Sequence, residues 1–331
     1  MQNLSTLRFV TTAAATLALG LSALPAQAGP YTMLVAFGDS LSDAGGGDNV
    51  FPFAPNEGGV VPPFPFDGGR FSNGKVAVEY LAESLGLAAH QTYQLAIGGA
   101  RTGTGGAIAG TGLSNQVQFF ATNLFFPPGQ VSGGLFSVWA GANDFRDSLA
   151  LANPTTAFGT IFSNLSTHIT TLYGLGARDF LLPNLPDVGL TPEGLASGNS
   201  AAISMLSLGF NQALRDVYDQ LEAQLVGADF HHVDAFAAQH ALLAGAPGNG
   251  LTNTTAGCLL TLAGGLAGLD CNNAFFVDNI HPTTRVHQAL GQVMLAAAVP
   301  EPSPVPEPSA MLLTATALLG LMAASARRRR R

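Results

Sequence analysis

Basic residues are scarce in this sequence: Lys and Arg together number 13 among 331 residues. Six of them sit at the ends, Arg8 near the start and Arg327 to Arg331 at the finish, which leaves seven for everything between. Against these seven stand 19 Asp and Glu once Glu301 and Glu307 are set aside with the tail, a balance of roughly −12 for the central region. A surface of that sign excludes nucleic acid or an anionic membrane surface as the main partner. Cysteine is nearly absent as well, represented only by Cys258 and Cys271. Neither a C-x-x-C nor an H-E-x-x-H spacing occurs, and the seven histidines are scattered except for His231-His232, so no metal site is expected and that pair reads as structural. The G-x-S-x-G elbow of another hydrolase class is missing too. Residues 69–75 imitate the phosphate-binding G-x-x-x-x-G-K, but Val76 stands where a magnesium-binding hydroxyl is needed and no strand precedes it, which rejects nucleotide binding. There is no internal repeat.

The two ends do not read as parts of a fold. Residues 1–28 have the form of a signal peptide: Arg8, an apolar run over 9–24, then Ala26-Gln27-Ala28 as a small-x-small cleavage site. Residues 300–309 form a proline-rich linker, Pro-Glu-Pro-Ser-Pro-Val-Pro-Glu-Pro-Ser, too poor in backbone donors for helix or sheet. Residues 310–331 hold an apolar segment near the lower length for a membrane span, closed by the five arginines. The order of motif, apolar segment and arginines, with Val305-Pro306-Glu307-Pro308 as the motif, resembles the PEP-CTERM sorting signal of Gram-negative bacteria. That resemblance implies export to the periplasm, outer surface or extracellular matrix, transient anchoring by the C-terminal segment, and processing by signal peptidase and an exosortase-type enzyme. A permanent C-terminal anchor is the alternative. In an oxidising compartment Cys258 and Cys271 are candidates for a disulfide.

Residues 29–299 suit one α/β domain. Strands are expected over 32–37, 93–97, 135–140, 179–182 and 229–233, and helices over 75–85, 113–126, 155–175, 201–225 and 284–298. The last helix opens at Pro282 and Thr283. This alternation predicts a mostly parallel five-stranded sheet between two helical layers, with ligands gathering beyond the carboxyl ends of the strands. Two stretches fit no regular element: 44–70, with Phe51, Phe53, Phe64 and Phe66, and 244–273, which holds both cysteines. The phenylalanines suit an apolar wall for an acyl chain, a lid, or packing onto the domain. Trp139, in the third strand, reads as core.

Four strand-end segments carry chemistry. Phe37-Gly38-Asp39-Ser40-Leu41-Ser42-Asp43 follows the first strand and can expose a serine hydroxyl at the rim of the sheet, or equally cap a helix. Asp278-Asn279-Ile280-His281 supplies a base with an acid three residues before it, where the Asp can hold one imidazole nitrogen and leave the other to accept a serine proton. By itself D-x-x-H is more often a surface loop. Asn143, in Gly141-Ala142-Asn143-Asp144, can offer its NH2 to an oxyanion or cap a helix, and Asp144 supports that loop. Gly98-Gly99 lets backbone approach a substrate, or is simply a tight turn.

Together, in this order, the segments resemble the four blocks of the GDSL/SGNH hydrolases, with Ser40, Gly99, Asn143 and His281 at the block positions and Asp278 beside them. Residues 69–81 and 271–283 are similar to the FGDSLSD-type members, so the resemblance spans 31–299; the glycine run Gly45-Gly46-Gly47 departs from it. It implies a three-layer α/β/α, flavodoxin-like sandwich and an esterase or lipase that needs no metal or organic cofactor. It also implies Ser40 as nucleophile, His281 as base and Asp278 as its orienting acid. Ser40 and Gly99 backbone N–H and the Asn143 side chain are the implied oxyanion hole. The expected substrate is an ester: lipid, other acyl ester, or acetylated polysaccharide. A non-catalytic surface or matrix binding protein and an acyltransferase are the alternatives.

Overall fold

Strands buried on both faces belong inside a covered parallel sheet, and the inner strands of this fold lie in one, with less buried strands at its two edges. The computed structural model describes residues 30–45, 66–123, 126, 129–258 and 271–299. The strands are β1 (Met33–Gly38), β2 (Thr92–Gln94), β3 (Gly134–Trp139), β4 (Asp179–Pro183) and β5 (Asp229–Val233). They run in the order β2-β1-β3-β4-β5, with every neighbouring pair parallel. β1 and β3, at the centre, are buried at every residue.

Alternation along the strands divides the core in two. Met33, Val35 and Phe37 of β1, Phe136 and Val138 of β3, and Phe180 and Leu182 of β4 face one apolar layer. That layer is completed by α2 (Leu113–Asn123), α4 (Phe158–Gly174) and α6 (Ser200–Gln224). Leu34, Ala36, Leu135, Trp139 and Leu181 face the other, with α1 (Ala77–Ser84), α7 (Ala235–Ala244) and α8 (Thr284–Ala298). In α8 the buried residues Val286, Leu290, Met294 and Ala298 recur every four positions, a single apolar stripe laid on the sheet. The three-layer α/β/α expectation therefore stands, with the 2-1-3-4-5 order of flavodoxin-like sheets.

Some elements differ from the expectation. The second strand ends at Gln94 rather than 97, because Leu95 and Ile97 keep bonding to β1 (Leu95 N–H to Ala36 O, 2.8 Å; Ile97 N–H to Gly38 O, 3.2 Å) while the chain curls toward the site. Helix α2 is described only to Asn123. Two helices were not expected as separate elements: α3 (Ala142–Ser148) and the short α5 (Pro192–Ala196). Helix α7 was also missed. The stretch 244–273, expected to hold no regular element, contains β6 (Asn253–Gly257), which pairs in parallel with β7 (Ala274–Phe276) as a second small sheet. Cys258 and Cys271 close this unit as a disulfide, with Cα atoms 5.6 Å apart.

Residues 1–28, expected as a signal peptide, the expected linker 300–309 and sorting segment 310–331, and Phe51, Phe53 and Phe64 lie outside the described residues. Among the described residues no helix is long and apolar enough to cross a membrane.

Candidate active site

β1 leaves the sheet toward β2 on one side and β3 on the other, so its carboxyl end marks the point where strand order reverses. Ligand sites of open α/β sheets lie there, because the outgoing loops part and leave a crevice. Ser40 sits two residues past β1, Gly98-Gly99 past β2, and Asn143 past β3.

The loop between β7 and α8 brings Asp278 and His281 to Ser40. Asp278 folds back on its own backbone: Oδ1 accepts from Ile280 N–H (2.8 Å) and His281 N–H (2.7 Å). Its other oxygen, Oδ2, lies 2.6 Å from His281 Nδ1. One carboxylate thus shapes the loop and orients the ring, and the three-residue spacing is what allows both. An ionised carboxylate only accepts, so Nδ1 of the neutral ring carries the proton and Nε2 is the acceptor. Ser40 Oγ stands 2.8 Å from that Nε2 and donates to it. Burial raises the Asp278 carboxyl, but its hydrogen bonds to the His281 ring and backbone and the histidine's charge outweigh this and hold it below its ordinary value. Ser40 and His281 are both buried.

The ring is held from behind by residues 69–75. Phe71 lies 5.1 Å, centroid to centroid, from the His281 ring. Ser72 Oγ donates to Pro282 O (3.0 Å), and Asn73 Oδ1 accepts from Thr284 N–H (2.9 Å). Arg70 grips Glu79 of α1 through two bonds of 2.8 and 2.7 Å, which fixes the segment to the domain. Thr283, the N-cap of α8, does not cap the helix with its hydroxyl; it donates instead to Ala274 O (2.8 Å) and ties the loop to β7.

The two glycines have separate tasks. A Cβ on Gly98 would overlap the Phe71 ring. Its N–H is already committed to Asp43 Oδ2 at 2.7 Å, while Asp43 Oδ1 accepts from Gly45 N–H at 2.9 Å. Asp43 therefore pins the loop after β2 to the loop after β1. Gly99 has φ +77°, a backbone that favours glycine, and its N–H makes no hydrogen bond among the described residues. The Ser40 N–H is equally without a bonded acceptor. Asn143 Nδ2 donates one of its two hydrogens to Ala100 O (3.0 Å), which leaves one. Asp144 accepts from Thr102 N–H (2.9 Å) and Thr102 Oγ1 (2.8 Å), so α3 clamps the loop that carries Gly99.

Two clefts meet at Ser40, and Asn143, Arg146, Ile280 and His281 border both. One runs beneath α8 and β7 and is walled by apolar side chains, Trp139 among them. The other opens past Gly99 and carries Arg101 and Asp147. Trp139, expected in the core, is buried as core residues are, yet its ring forms part of the first cleft, with Nε1–H donating to Asn184 O (3.0 Å). Phe71 and Asp43 had no role expected from the sequence, and Trp139 was expected only in the core.

Two groups among the described residues have ligand atoms close enough for a cation: Asp179, Asp229 and His231, and Asp219, Glu222 and His232. Both are built around β5, not around Ser40. His231 is already engaged by Tyr31 (3.2 Å) and Asp179 (3.3 Å), in keeping with a structural pair.

With this geometry in place, the comparisons with known proteins are specific. The family model described as GDSL-like Lipase/Acylhydrolase matches residues 34–294. The GDSL esterase/lipase At1g29670 of Arabidopsis thaliana is 28% identical over 326 residues, covering 81% of this chain and 88% of the relative. A second Arabidopsis thaliana protein, GDSL esterase/lipase At1g71691, is 29% identical over 266 residues, covering 68% and 69%. Among solved structures, the acetylxylan esterase Axe2 of Geobacillus stearothermophilus is similar with a TM-score of 0.47 and 13% identity, covering 83% of this chain and 97% of that one.

Proposed function

From the premise that the chain belongs to the GDSL-like lipase/acylhydrolase family and is a carboxylic ester hydrolase, we propose that it is an exported serine esterase that works through Ser40, His281 and Asp278. The observation that carries this reading is the unbroken line of hydrogen bonds from Asp278 Oδ2 through the His281 ring to Ser40 Oγ, 2.6 and 2.8 Å.

The chemistry follows from the line. A serine hydroxyl is a weak nucleophile until a base accepts its proton as the bond to carbon forms. His281 Nε2 takes that proton, and Asp278 stabilises the imidazolium without becoming protonated itself. The carbonyl oxygen, now negative, is received by the three donors with hydrogens to offer: Ser40 N–H, Gly99 N–H and Asn143 Nδ2. The tetrahedral intermediate collapses as its carbon–oxygen bond to the alcohol breaks, and His281 gives its proton to the leaving oxygen. Water then gives a proton to His281 and attacks the acyl-serine carbonyl; as the bond from that carbon to Ser40 Oγ breaks, His281 returns the proton to Oγ, releasing the acid and free Ser40.

Export rests on the form of residues 1–28, and sorting on residues 300–331. Mass spectrometry of the protein recovered from its native host is expected to show loss of both ends.

The central test is turnover of p-nitrophenyl butyrate by the full-length protein and by Ser40→Ala. Removing a triad member is expected to lower kcat on the order of 10⁶-fold. Fluorophosphonate labelling should be abolished with it. A folded Ser40→Ala variant that still turns over at the wild-type rate sinks the reading.

A further inference from the structure

We propose that the apolar cleft beneath α8 and β7 is the acyl-chain site, and that the protein is built for esters of medium to long acyl chains rather than for acetyl esters. The proposal rests on the serine-esterase reading and adds to it the direction in which the substrate lies.

A tetrahedral intermediate on Ser40 has three further substituents: the oxyanion, the acyl group and the alcohol oxygen. The oxyanion is fixed toward Gly99 and Asn143, so the other two must leave in different directions. Two clefts open from Ser40, and their chemistry differs. The first is lined by Trp139, Leu185, Val188, Phe276, Val286 and Leu290, drawn from β3, the loop after β4, β7 and α8. Its polar neighbours turn their donors to the protein. Thr191 Oγ1 donates to Val188 O (2.7 Å), Gln239 Nε2 to Asp187 O (3.2 Å), and Arg146 Nη2 to Glu193 (2.7 Å). Asn143 and Arg146, which border both clefts, keep unbonded hydrogens where the two meet; the rest of the wall is chiefly apolar. The second cleft holds Arg101 and Asp147, with Asp43 at its inner end, and suits a polar alcohol.

The size of the apolar cleft points the same way. Its cavity volume is about 60 Å³, room for a short row of waters at roughly 10–15 Å³ each, which makes it a narrow slot that suits an unbranched chain. An acetyl group would leave most of that wall facing water. Each methylene added to the acyl chain and buried there is worth about 0.8 kcal/mol, which is up to about fourfold in kcat/KM.

Trp139 makes the cleft observable without catalysis, because it is the one tryptophan in the sequence and forms part of the wall. Full-length Ser40→Ala protein titrated with decanoate is expected to show a saturable change in tryptophan fluorescence, and with acetate none. In the wild type, kcat/KM should rise more than tenfold from p-nitrophenyl acetate to the octanoate. Ala235, which is buried at the start of α7 and lines the cleft, is the position from which to fill it. Ala235→Phe is expected to lower the octanoate-to-acetate ratio of kcat/KM at least tenfold. A wild type that prefers acetate, or a Trp139 signal silent to decanoate, overturns the assignment. If no ester is cleaved and Ser40 resists the fluorophosphonate, the esterase reading falls, and the decanoate titration still decides whether the cleft takes an acyl chain.

Discussion

Asp39, the residue before Ser40, allows a sharp prediction about pH. It is 1% exposed. Its Oδ1 accepts from Leu41 N–H at 3.1 Å, but Oδ2 is buried and has no hydrogen-bond partner among the described residues. Burial disfavours the charged form and pushes the carboxyl up from its ordinary 3.8 to about 7, against the smaller opposing pull of the Leu41 N–H and of His281. The folded protein therefore holds this proton more tightly than the unfolded chain. Its contribution to stability is full below pH 4, declines as the unfolded carboxyl ionises alone, and is lost by the time pH has risen through 7. A displacement of about three in pKa amounts to about 4 kcal/mol over that window. Asp39→Asn keeps the acceptor for Leu41 and removes the titration. Guanidinium unfolding of both proteins at pH 4.5 and pH 8 gives two differences in stability, and the remaining titrating groups are common to both proteins. The difference is expected to move by about 3 kcal/mol in favour of the Asn variant at pH 8. Parallel pH curves would show that Asp39 is solvated or paired in solution, and would refute the argument.

Other perturbations test other parts of the site. Asn143→Ala removes one proposed oxyanion donor and the bond to Ala100 O; kcat on p-nitrophenyl butyrate is expected to fall by about 10²–10³, with KM changing far less, and an unchanged kcat would take Asn143 out of the proposed oxyanion hole. Replacing both Cys258 and Cys271 with serine opens a loop of sequence separation 13, which in the chain-entropy model costs about 3 kcal/mol. A lowered denaturation midpoint checks it. Because Gly257 packs against the backbone of Asp278, the loss should reach the loop that holds the base, and an unaltered midpoint would mean the small sheet stands without its bridge.

The residues around Ser40 were legible because each lies at the end of a strand and the chemistry is local to a short segment. Asp278 and His281 are three apart, and their bond needs only the fold of one loop. The helix Thr284–Ala298 falls where apolar periodicity put it, since it has one clear buried stripe, and the strand Asp229–Val233 also lies where expected, with Phe230 and Val233 buried. Helix α7 was not legible for the opposite reason. Its sequence, Ala-Phe-Ala-Ala-Gln-His-Ala-Leu-Leu-Ala, is apolar nearly all round, so there is no stripe to read, and its start is marked only by Asp234 accepting from Ala237 N–H (2.9 Å). Helix α3 begins inside the Asn143 segment, where a residue singled out for chemistry also serves the first turn of a helix.

The cleft was hidden at a deeper level. Its walls come from residues far apart in the chain, and each of them satisfies the pattern of an ordinary core position. Trp139 alternates with Val138 across β3 as a core residue should, and Val286 and Leu290 lie on the buried stripe of α8. Nothing in the periodicity of a strand or helix tells whether the space it faces is filled by another side chain or left open for a ligand. That depends on where β7, α7 and the loop after β4 stop short of one another. The same sheet face that stabilises the domain by burying α1 and α8 is left incompletely covered beside Ser40, and an acyl chain of suitable length would complete it. On the proposed reading Ser40 therefore stands at the boundary between a finished core and an unfinished one, which would give each added methylene of a substrate an influence on a bond it does not touch.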